Sequence, residues 1–109
     1  MPVPIKIRYH GLEPSDAIEA KVRARADKLE RFHDRITACN VVIEAGNHRR
    51  HKGHIYRVGV DLVVPGGELV VSRAPDQKHE HEDVYVAIRD SFDAAGRLLQ
   101  DYIRRKRGD

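Results

Sequence analysis

Residues 54–73 read HIYRVGVDLVVPGGELVVSR, and the fold turns on how this stretch is read. Tyr56, Val58, Val60, Leu62 and Val64 share one face of an extended chain, against Ile55, Arg57, Gly59, Asp61 and Val63. Period two across 54–64 predicts a strand with one apolar face. Pro65-Gly66-Gly67 then predicts a hairpin turn. Glu68 to Arg73 reads as the returning strand, with Leu69 and Val71 opposite Val70 and Ser72. Just upstream, 37–45 alternates in the same way: Cys39, Val41 and Ile43 face one side, Asn40 and Glu44 the other. The polar segment 46–53, bracketed by Gly46 and Gly53, connects it to the long strand. Three consecutive hairpin-linked strands imply antiparallel pairing.

The rest of the chain supplies what covers this sheet. Val3, Ile5, Ile7 and Tyr9 alternate with Pro4, Lys6 and Arg8, predicting a first strand with an early proline, which suits an edge or a strand start. After His10-Gly11, Ser15 and Asp16 offer helix caps, and Asp16 with Glu19 offers a capping box. Residues 16–33 carry an apolar stripe, Ile18, Val22, Ala26, Leu29 and Phe32, with Lys21, Arg25 and Lys28 on a line beside it. Residues 74–82 are a polar loop. A last helix over about 82–106 has the stripe Val84, Ile88, Phe92, Ala95, Leu99 and Tyr102. Glu82 and Asp83 open it, where negative charge complements the helix dipole. The order is β-α-β-β-β-α. The expectation is one α+β domain spanning 1–109, a four-stranded sheet with both helices packed on one face, like a double-stranded-RNA-binding domain with an extra first strand.

Composition narrows the function classes. The chain has 109 residues, 40% hydrophobic and 34% charged, which is a one-domain length and a soluble, heavily charged composition. It has no Trp, two Phe and four Tyr, which argues against single-strand readers built on exposed aromatic platforms but not against binding RNA backbone or shape. No apolar run approaches the roughly 20 residues of a membrane span, so no membrane partner is expected. The start lacks the apolar core of a signal peptide, and the single Cys39 fits a reducing compartment; the expected location is the cytoplasm. Net charge is +3 with seven histidines in reserve. The charge is sorted within segments: Arg104, Arg105, Lys106 and Arg107 form a terminal run of four. Such a run fits an anionic partner and fits equally a solvated helix end.

No constellation reads as a catalytic centre. His48, His51 and His54 could in principle hold zinc, but Arg49, Arg50 and Lys52 surround them and no carboxylate in the same turn offers support. The loop is therefore read as solvated and basic, able to touch phosphate, with no metal and no cofactor. Cys39 lies on an apolar strand face, as an inert buried thiol does. Ser72 and Ser91 lack a nucleophile-elbow setting, and Gly66-Gly67 is followed by a strand, so it is no phosphate loop. No enzymatic activity and no small-molecule substrate are expected.

Three stretches resemble the ribosome hibernation-promoting factor and ribosome-associated inhibitor family, also called sigma-54 modulation proteins. They are Ser15-Asp16-Ala17-Ile18 through Lys28-Leu29-Glu30-Arg31-Phe32, the hairpin Pro65-Gly66-Gly67-Glu68-Leu69-Val70-Val71, and, most specific, His81-Glu82-Asp83-Val84-Tyr85-Val86-Ala87-Ile88 at the head of the final helix. The resemblance implies a cytoplasmic bacterial protein, or an organellar one, that binds the small ribosomal subunit in the messenger and transfer RNA channel and blocks translation by occupancy, without catalysis. It implies ribosomal RNA contacts at Lys28 and Arg31 on the first helix, and at Arg89, Arg97, Arg104, Arg105 and Lys106 on the last. The 46–54 loop is longer and richer in His and Arg than the family's usual form. The chain stops soon after the last helix, so the dimerising C-terminal domain of long-form members is expected to be absent. The alternative is a binding module for other structured RNA.

Overall fold

The computed structural model describes residues 3–33, 35–47, 54–71 and 83–106. Its elements follow the expected order: β1 (Ile5–His10), α1 (Asp16–Phe32), β2 (Ala38–Asn47), β3 (His54–Val64), β4 (Gly67–Val71) and α2 (Val84–Lys106). The sheet runs β1-β2-β3-β4. The β2–β3 and β3–β4 pairs are antiparallel, as the hairpins require. The β1–β2 pair is parallel, with Ile5 opposite Cys39 and Tyr9 opposite Ile43. Two parallel neighbours cannot be joined by a hairpin, so α1 serves as the crossover between them.

Alternation decides which face each strand buries. On β2 and β3, Cys39, Val41, Ile43, Val58, Val60, Leu62 and Val64 are buried. Their cross-strand register puts Val41 opposite Val60 and Cys39 opposite Leu62, so all lie on one face. Ile18, Val22 and Ala26 of α1 and Ile88, Phe92 and Leu99 of α2 join the same core cluster, so both helices cover that face. Each fully buried Ile, Leu or Phe contributes roughly 1.5–3 kcal/mol. The opposite face carries Lys6, Arg8, Asn40, Glu44, Arg57 and Val70, and no described element covers it.

Of the two cap candidates for α1, Ser15 takes the position. Its Oγ accepts from the Ile18 backbone N–H at 3.3 Å, and Asp16 becomes the first helical residue. The capping box of Asp16 with Glu19 is thereby displaced, and Glu19 instead lies 3.4 Å from Arg23. Asp83 does the same work for α2: its side chain accepts from the Tyr85 N–H at 2.8 Å. Within α2, Ala87 and Ser91 are buried alongside the expected stripe, and Tyr102 is half-buried. The Ser91 hydroxyl donates to the Val58 carbonyl at 2.8 Å, which satisfies a polar group that would otherwise be costly in the core.

Two glycines are fixed by geometry. Gly66 follows Pro65 in the β3–β4 turn with φ 90°, the positive φ that a type II turn requires after a proline. Gly11 leaves β1 with φ 79°, and a Cβ there would overlap the Ala45 carbonyl oxygen. The described part of β4 ends at Val71; Ser72, Arg73 and the 74–82 loop lie outside the described residues.

Candidate nucleic-acid interface

The buried stripes determine what the helices present outward. Because α1 buries Ile18, Val22 and Ala26, Lys28 and Arg31 are left exposed and Arg25 half-buried. Because α2 buries Val84, Ile88, Phe92, Ala95 and Leu99, the cations Arg89, Arg97, Arg104, Arg105 and Lys106 are exposed. All seven residues expected to meet RNA are therefore exposed on the two helices.

They do not form one cluster. Lys28 and Arg97 both line a cleft of about 530 Å³ between α1 and α2, lined also by Arg25, Leu29, His33, Asp93 and Gln100. The two helices pack closely at Gly96: a Cβ there would sit 3.3 Å from Leu29 Cδ2, and that side chain would have to give slightly. Arg31 lies one turn beyond Lys28 on α1 and does not line the cleft. Arg89 and the Arg104–Lys106 turn lie toward opposite ends of α2, about 22 Å apart at 1.5 Å per residue.

Ion pairing separates these cations further. The Arg89 guanidinium lies 3.1 Å from Asp90, so part of its charge is already compensated. The Lys106 ammonium sits 5.7 Å from the centroid of the Tyr102 ring, within cation–π range. Tyr102 in turn bonds the hairpin through the Pro65 carbonyl, at 2.5 Å. The ion pairs Arg23–Glu19 and Arg57–Glu44 involve none of the seven.

Other candidate chemistry finds no support in the described residues. Burial, reinforced by the charge of Asp61, pushes the Cys39 thiol up to about 11, which suppresses the thiolate a nucleophile needs. Among the described residues no group of three or more His, Cys, Asp and Glu side chains could hold a metal. Residues 48–53, with His48 and His51, lie outside the described residues, as does the His54 side chain. No described helix is long and apolar enough to cross a membrane.

The sequence placed Arg25 on the basic line beside Lys28 but gave no sign that Asp93, Gln100 and His33 would join them. The available signal was Gly96, a glycine inside a helical pattern, which often marks a close helix contact.

The architecture defines a class: a four-stranded mixed sheet whose two helices cover one face and carry exposed cations. Residues 5–107 match the family described as sigma 54 modulation protein / S30EA ribosomal protein, and the chain belongs to that family. It is 31% identical over 84 residues to the ribosome hibernation promoting factor of Azotobacter vinelandii, covering 77% of this chain and 67% of that protein. A ribosomal subunit interface protein from Coxiella burnetii superposes with a TM-score of 0.72 at 15% identity, covering 94% of this chain and 99% of the other. The N-terminal domain of Thermus thermophilus Protein Y superposes with a TM-score of 0.61 at 22% identity, over 94% and 99% of the two chains. At these identities the two structures share the fold with this chain.

Proposed function

We propose that this chain binds the small ribosomal subunit, lodges in the channel that messenger and transfer RNA use, and halts translation by occupying it. In this reading it is a cytoplasmic hibernation factor, raised under stress or in stationary phase, and residues 1–109 act as one ribosome-binding unit. It works by occupancy and not by catalysis. Family membership supports the ribosomal partner. The observation that carries the mode of binding is that Lys28 and Arg97, exposed on different helices, line one cleft between them. A surface of this kind neutralises phosphates while the sheet stays folded behind it. Lys28, Arg31, Arg89, Arg97, Arg104, Arg105 and Lys106 are the proposed contacts to ribosomal RNA.

The test is co-sedimentation with purified small subunits across a salt series, paired with a cell-free translation assay. Affinity should fall steeply with salt, because each neutralised phosphate releases counterions. Reversing Arg104 and Arg105 together should abolish inhibition and leave the fold intact, since both are exposed in the last turn of α2. Reversing Arg49 and Arg50 removes the same charge elsewhere. Loss of inhibition in the loop pair with retention in the helix pair would move the contact to the loop. Binding of structured RNA hairpins as tightly as of subunits would turn the reading toward a general RNA module.

A further inference from the structure

The cleft between α1 and α2 gathers charged groups from two helices. Arg104, Arg105 and Lys106, by contrast, are exposed side chains on the last turn of one helix. The cleft is concave, and its volume of about 530 Å³ lies within the roughly 300–1,000 Å³ of small-ligand sites. Leu29, Phe92 and Gly96 supply apolar lining; Arg25, Lys28 and Arg97 supply three cations. The α2 side also holds one carboxylate, Asp93, and one amide, Gln100, and His33 lines the α1 end. The ion pairs Arg23–Glu19, Arg57–Glu44 and Arg89–Asp90 use none of these charged groups.

Asp93 is the informative residue. A cleft that met phosphate alone would bind better without it, because its charge repels every phosphate the three cations attract. A carboxylate does have a use toward a nucleobase, where it accepts N–H donors. Guanine alone among the four RNA bases presents two such donors side by side, N1–H and N2–H, on its Watson–Crick edge. A carboxylate accepts such a pair as two parallel bonds, the geometry that makes charge-assisted bidentate contacts strong. Sequence-specific RNA recognition works on unstacked bases through such edges.

We propose that the α1–α2 cleft is a nucleotide subsite that takes one unstacked guanosine of an RNA strand. Arg25, Lys28 and Arg97 hold the phosphate, the Leu29–Gly96 wall meets the base plane, and Asp93 accepts from the guanine edge. The proposal rests on the RNA-binding reading above and narrows it from backbone to one base.

Backbone-amide NMR of the labelled chain tests it, by titration with each of the four nucleoside 5′-monophosphates, ribose 5-phosphate and inorganic phosphate. GMP should shift Leu29, Gly96, Arg97 and Gln100 saturably and bind at least about fivefold tighter than the other monophosphates, the discrimination of a modest bidentate contact. Asp93→Asn should bring GMP to within about twofold of AMP while ribose 5-phosphate binds as well or better. Opposite signs for guanine and for bare phosphate cannot come from a general change in charge. A uridine hexamer carrying one guanosine, compared with the all-uridine hexamer, should show the same preference in the natural chain and lose it in Asp93→Asn. Equal shifts from all monophosphates and ribose 5-phosphate, or shifts confined to Arg104–Lys106, would overturn the subsite. GMP binding without discrimination between the hexamers would overturn its RNA part and leave a free-nucleotide site. Subunit co-sedimentation runs alongside: if it persists without guanine preference, the subsite alone fails; if the natural chain does not co-sediment, the ribosomal reading fails independently.

Discussion

The hydroxyl of Tyr102 donates to the carbonyl oxygen of Pro65 at 2.5 Å, fastening the C-terminal end of α2 to the β3–β4 hairpin. Lys106 lies over the same ring, and a Cβ on Gly66 would come within 3.2 Å of the Tyr102 hydroxyl. The turn that bears Arg104, Arg105 and Lys106 is thus held by the sheet, although its cations are exposed.

Tyr102→Phe removes that bond and little else. The expected cost is about 1 kcal/mol, the usual net worth of one hydrogen bond. Amide exchange should accelerate from Ile103 to Lys106 and not in the middle of α2. Unchanged exchange there would show that the last turn holds itself.

Arg89 and Arg97 carry equal formal charge in unequal settings. Arg89 is already paired with Asp90, whereas Arg97 lines the cleft. Arg97→Gln should flatten the dependence of log affinity on log salt by about 0.7–0.9, the contribution of one phosphate contact. Arg89→Gln should flatten it by clearly less. Equal slopes for the two variants would contradict the distinction.

Glu68 stands beside Asp61, whose buried Oδ1 no standing donor meets. The hydrogen bond that a protonated Glu68 gives Asp61, then the charge of Asp61, then desolvation raise the Glu68 carboxyl above its ordinary 4.5. A raised carboxyl holds its proton more firmly in the folded state. Its contribution is therefore fully present below the ordinary value and lost as pH rises through the folded one. Once ionised, the Glu68 carboxylate faces the charge of Asp61. Glu68→Gln supplies a permanent donor and should raise the melting temperature at pH 7, with the gain shrinking below about pH 4. A gain of the same size at pH 3 would refute this account.

Cys39 extends the same argument to alkaline pH. Its thiol is raised from 9.0 to about 11, first by burial and then by Asp61. The folded state keeps a proton that the unfolded state has released, so stability falls as pH climbs from about 9 toward 11. The limiting size is roughly 3 kcal/mol at 1.36 kcal/mol per unit. Cys39→Ala should lose stability at neutral pH through the small cavity it leaves, yet decline less steeply between pH 9 and 10.5. At neutral pH the natural chain should resist thiol reagents until denatured; rapid labelling of the folded protein would contradict the burial.

Much of the architecture is legible in the residues alone, for a physical reason that also sets its limit. Alternation across Tyr56, Val58, Val60, Leu62 and Val64 is a direct record of a strand with one dry face, and that strand occupies the predicted residues. The α2 stripe was found from its apolar members, while Ser91 was missed because its burial depends on a carbonyl from another element, Val58. Alternation in Ile5, Ile7 and Tyr9 gave the buried face of β1 but not its partner, so the parallel pairing came only from the structure. The cations were visible as residue types. The cleft was not, because it depends on how two helices far apart in sequence pack, and Asp93 alone reads as an ordinary solvated acid. The His48/His51/His54 expectation falls largely on residues outside those described.

The parallel placement of β1 has a consequence for how the chain assembles. The β2-β3-β4 meander needs only neighbouring segments, so its pairings are cheap in loop closure. β1 leaves the ribosome before α1 and β2 and has its sheet partner only when both have followed it. During synthesis β1 therefore waits as an unpaired edge with Ile5, Ile7 and Tyr9 unburied, until it docks onto β2. Alternating Lys6 and Arg8 with those residues keeps that waiting segment charged, which discourages its pairing with another nascent chain.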